Sequence, residues 1–228
     1  MLSVERVSKV YETRHGPHKV FNDISFTLAR GRNLGILGRN GAGKSTMIRL
    51  ISGAERPTTG HIRRGMRVSW PLAFAGAFAH NLTGLDNLKF VCRVYGIDYK
   101  PLVPFVEEFT ELGIFFREPV LHYSHGMMTR LAFALSMAIE FDCFLIDEAM
   151  IVGDARFHER CQYELFQKRK DRAFILVSHD VNAIKAYCEN AVVLHEGRLH
   201  SFPSVDAAYV FYLETLADKP EVIERWRM

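Results

Sequence analysis

The sequence predicts an α/β fold in which a mainly parallel sheet is built around a phosphate-binding loop. Three observations predict it. The stretch GRNGAGKST occupies residues 38–46, between an apolar run at 33–37 and a helical pattern at 47–51. That strand, glycine loop and helix are the setting the G-x-x-x-x-G-K-[ST] spacing requires. Two more apolar runs of strand length, at 143–146 and 173–177, each lead into polar residues with chemistry to offer. Residues 84–113 switch to a helical period and predict a small helical subdomain inserted into the core.

In chain order, residues 2–28 alternate with period two, clearest at Ile24, Phe26 and Leu28. They predict two or three antiparallel strands joined through the polar turn Thr13-Arg14-His15-Gly16-Pro17. The phosphate-loop strand and helix follow, closed by Gly53 and Pro57, with short strands expected around 61–62 and 67–69. In the helical segment Leu85, Leu88, Val91, Cys92 and Tyr95 share one face, and Phe105, Val106, Phe109 and Leu112 another. A nearly all-apolar helix at 127–139 leads into the strand at 143–146. After it come a helix at 156–170, the strand at 173–177, a helix at 180–188, a hairpin at Glu196-Gly197 and a last helix at 205–216. Residues 1–216 thus read as one domain, with the helical insertion at about 84–136, and 217–228 as a loosely held tail.

Composition excludes several classes. With 48% hydrophobic and 24% charged residues the chain has the make-up of a soluble globular protein. A formal net charge of +3, from 29 basic and 26 acidic side chains, is too small to argue for nucleic acid. Cys92, Cys143, Cys161 and Cys188 form no C-x-x-C pair, which suggests neither a zinc site nor a disulfide framework. A reducing cytosol is the natural compartment. The N-terminal residues lack an apolar core of signal-peptide length. No Asp, Glu, Lys or Arg falls between Arg67 and Asp86, but Pro71 and Gly76 interrupt the apolar part and His80, Asn81 and Thr83 follow it. A spanning helix needs about 20 mainly apolar residues. The stretch reads as an exposed, adhesive loop at 70–78, and no transmembrane segment is expected.

The loop carries the expected nucleotide-binding residues Gly38, Arg39, Asn40, Gly41, Ala42, Gly43, Lys44, Ser45 and Thr46. Its glycines let successive N–H groups turn inward, where they and the helix N-terminus bind phosphate oxygens. Lys44 would reach the β- and γ-phosphates of ATP and Ser45 would ligate Mg²⁺. The strand at 143–146 ends in Asp147 and Glu148. Beside a phosphate loop, Asp147 is placed to hold the metal through water and Glu148 to polarise the attacking water. By itself an apolar strand ending in two acids is more often a turn. Ser178-His179-Asp180 ends the strand at 173–177, from which His179 could hold the attacking water or Glu148, or merely open the next helix.

The remaining motif is Tyr123-Ser124-His125-Gly126-Met127, just before the apolar helix. With it the chain resembles the ATP-binding cassette ATPases of ABC transporters, whose signature here is usually L-S-G-G-Q; Ser124 and Gly126 fit, while Tyr123, His125 and Met127 depart. The resemblance covers residues 1 to about 215 and implies the P-loop NTPase ABC ATPase fold, a RecA-like core with an antiparallel β subdomain and an inserted helical one. It also implies a homodimer in which Ser124 and Gly126 of one copy cover the γ-phosphate bound by the other. Tyr11 matches the aromatic on which the family stacks adenine, although sheet packing is its plainer role. Asp154 stands where the dimer-contact loop carries its Asp, and a helix N-cap is the alternative. The family's glutamine before the helical subdomain is missing, since no Gln precedes Gln162; slow or partner-dependent hydrolysis is the expectation.

Segments 69–74, 82–88, 123–127 and 138–148 look like those of the ATPase subunits of capsule polysaccharide exporters in Gram-negative bacteria. This implies a peripheral subunit on the cytoplasmic face of the inner membrane, docked on integral permease subunits through the apolar loop at 70–78, with no contact to nucleic acid or to the polysaccharide itself. A soluble ABC ATPase acting on DNA or ribosomes is disfavoured by the single cassette and the absence of heptads. A degenerate regulatory module is opposed by Glu148 and His179. Export of another envelope glycan or lipid stays open.

Overall fold

The computed structural model describes residues 1–72, 78–147 and 155–217. The chain divides into two units, one drawn from Met1–Ser69, Asp142–Glu148 and Asp171–Met228, the other from Trp70–Phe141 and Ala149–Lys170.

The first unit opens with β1 (Leu2–Thr13) and β2 (Gly16–Leu28), antiparallel and joined by the polar turn. Both strands bury one face, yet the buried residues Leu2, Val4 and Val7 of β1, and Phe21, Ile24 and Leu28 of β2, do not keep an unbroken alternation. An extra residue resets each strand, at Arg6 (φ 49°) and Asp23 (φ 55°). A bulge of this kind keeps apolar side chains facing one way after the period has slipped. Each bulged amide is satisfied by a serine across the pair, Arg6 N donating to Ser25 Oγ at 2.9 Å and Asp23 N to Ser8 Oγ at 3.0 Å.

Next come β3 (Asn33–Leu37), α1 (Lys44–Ser52), β4 (Thr59–Arg64) and β5 (Val68–Pro71). The chain returns to this unit with β6 (Cys143–Asp147), β7 (Ala173–Val177), α6 (Val181–Tyr187), β8 (Asn190–His195), β9 (Arg198–Ser201) and α7 (Val205–Ala217). β4 pairs with β1, completing a three-stranded antiparallel sheet. The other six strands form a second sheet in the order β5-β6-β7-β3-β8-β9. Strands β6, β7, β3 and β8 run parallel, and β9 returns antiparallel to β8 through the Glu196-Gly197 turn. Buried on both faces, the parallel strands read as unbroken apolar runs, and all five residues of β7 are buried. Phe21, Ile24, Ile36, Ile48, Leu145 and Ile175 meet in the core. Each contributes roughly 1.5–3 kcal/mol relative to exposure.

The second unit is helical: α2 (Gly84–Tyr95), α3 (Val103–Thr110), α4 (His125–Ala138) and α5 (Ala155–Gln162). The run expected at 84–113 is two helices, because Gly96 ends α2 in the left-handed region (φ 68°) and a 3-10 turn at Lys100–Leu102 precedes α3. Helix α4 is almost wholly buried from Thr129 onward and stacks Phe133 on Phe109 of α3, with ring centroids 5.7 Å apart. The helix expected at 156–170 stops being α-helical at Gln162 and continues as a π-helical turn, Tyr163–Gln167. Within this wider turn Arg169 bonds both the backbone oxygen of Glu164 (2.7 Å) and its carboxylate (3.1 Å).

The exposed loop expected at 70–78 is corrected at its first residues. Trp70 packs edge-on against Phe141 (5.2 Å), lies tilted against Tyr95 (5.7 Å) and donates from Nε1 to Ser136 Oγ at 2.8 Å, while Leu72 is buried. An indole that finds apolar neighbours and a partner for its N–H is more stable inside than in water. Residues 73–77 lie outside the described residues.

Candidate nucleotide-binding site

Strand β3 ends at Leu37 and the next turn of chain is the phosphate loop. Gly43 caps α1 at φ 104°, and a Cβ there would meet Val20 Cγ1 at 2.5 Å and Phe21 Cε1 at 2.6 Å. Strand β2 therefore presses directly on the loop, and only glycine fits both the backbone angle and the space. At the other end a Cβ on Gly38 would stand 2.8 Å from the Leu194 carbonyl of β8. The Lys44 ammonium is buried in the loop's own curve, donating to Gly38 O at 2.7 Å and Arg39 O at 3.2 Å. Arg39 reaches away to the Thr215 carbonyl of α7 at 3.2 Å. Ala42 N donates to Arg39 O at 3.1 Å, and Thr46 accepts a 3.0 Å bond from Arg49.

A cavity of about 540 Å³ opens on this loop. Asn40, Gly41, Gly43, Lys44, Ser45 and Thr46 line it from the loop and α1, Tyr11, His18 and Val20 from the antiparallel sheet, and Asp147 from the end of β6. Strand register explains the last. Val177 of β7 is in register with Asp147 on one side and with Ile36 on the other. Asp147, His179 and the phosphate loop thus all sit at the carboxyl ends of three adjacent parallel strands, where open α/β sheets bind ligands. Ser178 N donates to Ile36 O at 3.3 Å, and Asp180 rather than His179 caps α6, accepting from Asn182 N at 2.8 Å. His179 is exposed at the end of β7.

Tyr11 and His18 face each other across the β1–β2 pair. The Tyr11 hydroxyl donates to Glu55 Oε2 at 2.8 Å, and Glu55 is paired with Lys9 at 2.8 Å. Burial pushes the Glu55 carboxyl up, but bonds from Lys9, Tyr11 and Arg49 outweigh it and hold it below its ordinary range. Neither His18 nor Glu55 is part of a sequence motif. The signal available for His18 was its place on β2 across from Tyr11; for Glu55 there was none.

Ser124 caps α4, its Oγ accepting from Met127 N at 3.2 Å, and Gly126 lies in the first turn. Tyr123, where the signature usually has leucine, is buried with its phenol donating to Phe115 O at 2.6 Å, and burial raises its pKa. Glu148 and Asp154 lie outside the described residues.

The donor set suits a triphosphate and a hard cation. Loop amides, a helix N-terminus and a lysine suit phosphate, and the exposed Ser45 hydroxyl and Asp147 carboxylate line the same cavity as oxygen ligands of the kind Mg²⁺ takes. Among the described residues no cluster of three or more His, Cys, Asp or Glu could hold a metal by itself.

Residues 21–151 match the family model of the ABC transporter. The chain belongs to the ABC transporter family. This ABC cassette is 60% identical over 93% of its length to the capsule polysaccharide export ATP-binding protein CtrD of Neisseria meningitidis, covering 98% of that protein. It is 57% identical to the ATP-binding protein BexA of Haemophilus influenzae, over 94% of this chain and 99% of the relative. A polysialic acid transport ATP-binding protein, KpsT of Escherichia coli, is 43% identical over 95% of the cassette and 100% of its own length. Among solved structures a dimeric ATP-binding cassette in a post-hydrolysis state, bound to ADP and Pi, shares the fold with a TM-score of 0.75 at 19% identity, covering 90% of this chain and 99% of that one. No helix among the described residues is long and apolar enough to cross a membrane.

Proposed function

We propose that this chain is the ATP-binding and ATP-hydrolysing subunit of an ABC transporter that exports capsular polysaccharide across the bacterial inner membrane through a separate permease. The observation that carries the reading is the near-full-length similarity to ATP-binding proteins named for capsule export, in a chain whose phosphate loop, Asp147 and His179 end three adjacent strands.

In this reading the amides of residues 38–46 and the α1 N-terminus bind the phosphates, and Lys44 leaves its loop carbonyls to meet the β- and γ-oxygens. Ser45 and Asp147 would hold Mg²⁺, Asp147 through water, and the ion would supply charge neutralisation at the phosphoryl oxygens. Glu148 takes the proton of the attacking water, and His179 keeps that water and Glu148 in line. Tyr11 stacks the adenine. Two copies act head to tail: Ser124 and Gly126 of one present the α4 N-terminus to the γ-phosphate on its partner, and Asp154 lies at the dimer contact. Residues 1–216 serve as one ABC ATPase domain with an insertion at about 84–136. The subunit lies on the cytoplasmic face of the membrane. Phe90 and Val94, one turn apart on α2 and both exposed, add apolar surface for the permease.

The test is the Glu148→Gln variant. Turnover should fall by about a hundredfold or more while ATP is still bound and capsule export stops. Hydrolysis at the parent rate would remove Glu148 as the base. A Lys44→Ala chain that binds nucleotide and supports export like the parent would end the whole reading.

A further inference from the structure

We infer that Glu55 is a positioning residue for nucleotide affinity, holding the Tyr11 ring at the cavity so that one face is ready for a purine base. This rests on the nucleotide reading of the cavity and deepens it by naming what sets the base-binding end.

Glu55 follows α1 in a connection that carries no motif, and its own amide is tied to Arg49 O at 3.2 Å. Both carboxylate oxygens are engaged. Oε1 pairs with Lys9 Nζ at 2.8 Å, and Oε2 accepts from the Tyr11 hydroxyl at 2.8 Å and from Arg49 Nε at 3.2 Å. Lys9 and Tyr11 are alternate residues of β1, on one face of the strand, so a single carboxylate bridges the two. Lys9 Nζ is further held by Arg56 O at 3.0 Å and lies over the Tyr11 ring, 4.8 Å from its centroid. One face of the ring is taken by that ammonium. Tyr11 lines the cavity whereas Lys9 and Glu55 do not, so the carboxylate acts through the tyrosine.

The chain of bonds continues toward the phosphates. Arg49 Nη2 donates to the Tyr11 hydroxyl at 3.3 Å and to Thr46 Oγ1 at 3.0 Å, and Thr46 lines the cavity from the first turn of α1. Base end and phosphate end are thereby referenced to each other. A half-exposed tyrosine close to a hairpin would otherwise lose side-chain freedom each time a base docked; here that loss is made on folding, so binding is tighter. The Lys9–Glu55 pair is part-buried, with side-chain exposures of 12% and 22%, so losing it alone would weaken the fold without regard to the base. The signature of positioning is therefore a base-dependent change in affinity with the fold intact.

The experiment compares the full chain with Glu55→Ala, Glu55→Gln, Tyr11→Phe and Tyr11→Ala, titrating each with Mg-ATP and with inorganic tripolyphosphate by calorimetry and measuring ATPase kinetics. Glu55→Ala should weaken ATP about three- to tenfold, a part of what one stacked base supplies. Tripolyphosphate affinity should stay within about twofold, and the loss should fall on KM rather than kcat. Glu55→Gln, whose amide oxygen still accepts from Tyr11, should recover most of it. Tyr11→Phe keeps the ring and deletes the hydroxyl that Glu55 holds, so it should show the same base-dependent loss in a variant that leaves the carboxylate in place. If Tyr11→Ala loses ATP affinity while Glu55→Ala and Tyr11→Phe do not, the role of Glu55 is overturned and the base site stands. Equal weakening of ATP and tripolyphosphate by Glu55→Ala also overturns it. A Tyr11→Ala chain that binds ATP like the parent removes the base site and this inference together, leaving the phosphate-loop reading to the Lys44 test.

Discussion

Single residues in this cassette are constrained from directions the local sequence does not show. Gly43 is the clearest. The phosphate-loop spacing demands it for backbone reasons, and the structure adds that β2 leaves no room for a methyl group, with Val20 and Phe21 both within 2.6 Å of where a Cβ would stand. Gly43→Ala should therefore cost about 1–3 kcal/mol of stability, besides weakening nucleotide binding; urea denaturation without ligand measures the first effect separately. The cysteines are constrained differently. All four are buried, and burial pushes the thiols of Cys143, Cys161 and Cys188 up to about 12. A thiol-specific reagent at pH 8 should label the folded chain slowly and the unfolded chain at once. The sign of the pH effect follows. Above the ordinary thiol range the unfolded chain has lost protons that the folded chain keeps, so stability should fall as pH rises from about 9 toward 12.

Among the elements, α4 joins packing to chemistry. Its body from Thr129 onward is buried, while its first turn presents Ser124, an exposed hydroxyl that caps the helix by accepting from Met127 N. Ser124→Ala should cost about 0.5–2 kcal/mol as a lost cap. If Ser124 also meets the partner's γ-phosphate, ATP-dependent dimerisation should fall by more than that stability loss explains, as sedimentation of the Glu148→Gln chain with and without the second substitution would show. The buried Tyr123 beside it gives a reason for one departure from the usual signature: a phenol bonded to Phe115 O fixes the start of the helix where leucine could only fill space. The π-helical turn after α5 shows the limit of periodicity. Residues 156–170 read as one continuous helix because the step from 3.6 residues per turn to a wider turn leaves little mark on an apolar pattern, whereas the Glu164–Arg169 bonds that occupy it are plain in the structure.

At the scale of the whole molecule the sequence lacks a glutamine before Gln162, at a place in the chain where the family usually supplies a metal contact. Basal ATPase of the isolated chain should be slow and should rise several-fold in the assembled permease complex; fast turnover that ignores the permease would count against that expectation. The first residues of the loop expected at 70–78 are less exposed than the sequence suggests, while 73–77 lie outside the described residues. Trp70 looked exposed because the run around it contains no charge, but it is half-buried, its indole held by Phe141, Tyr95 and Ser136.

What the sequence determined by itself was whatever depends on chain neighbours. The loop at 38–46 with its flanking strand and helix, the strand at 173–177, the acid at the end of β6 and the hairpin at Glu196-Gly197 are written in adjacent residues, because backbone angles and apolar period are local properties. Tertiary structure alone decided which strands lie side by side. The order β6-β7-β3 gathers Asp147, His179 and the loop at one edge, and the fold brings Glu55 to Tyr11 across 44 positions of chain. A carboxylate and a phenol carry no local sign of each other; they meet only when two sheets and a helix have packed, and the apolar burial that drives that packing is indifferent to which polar groups it brings together.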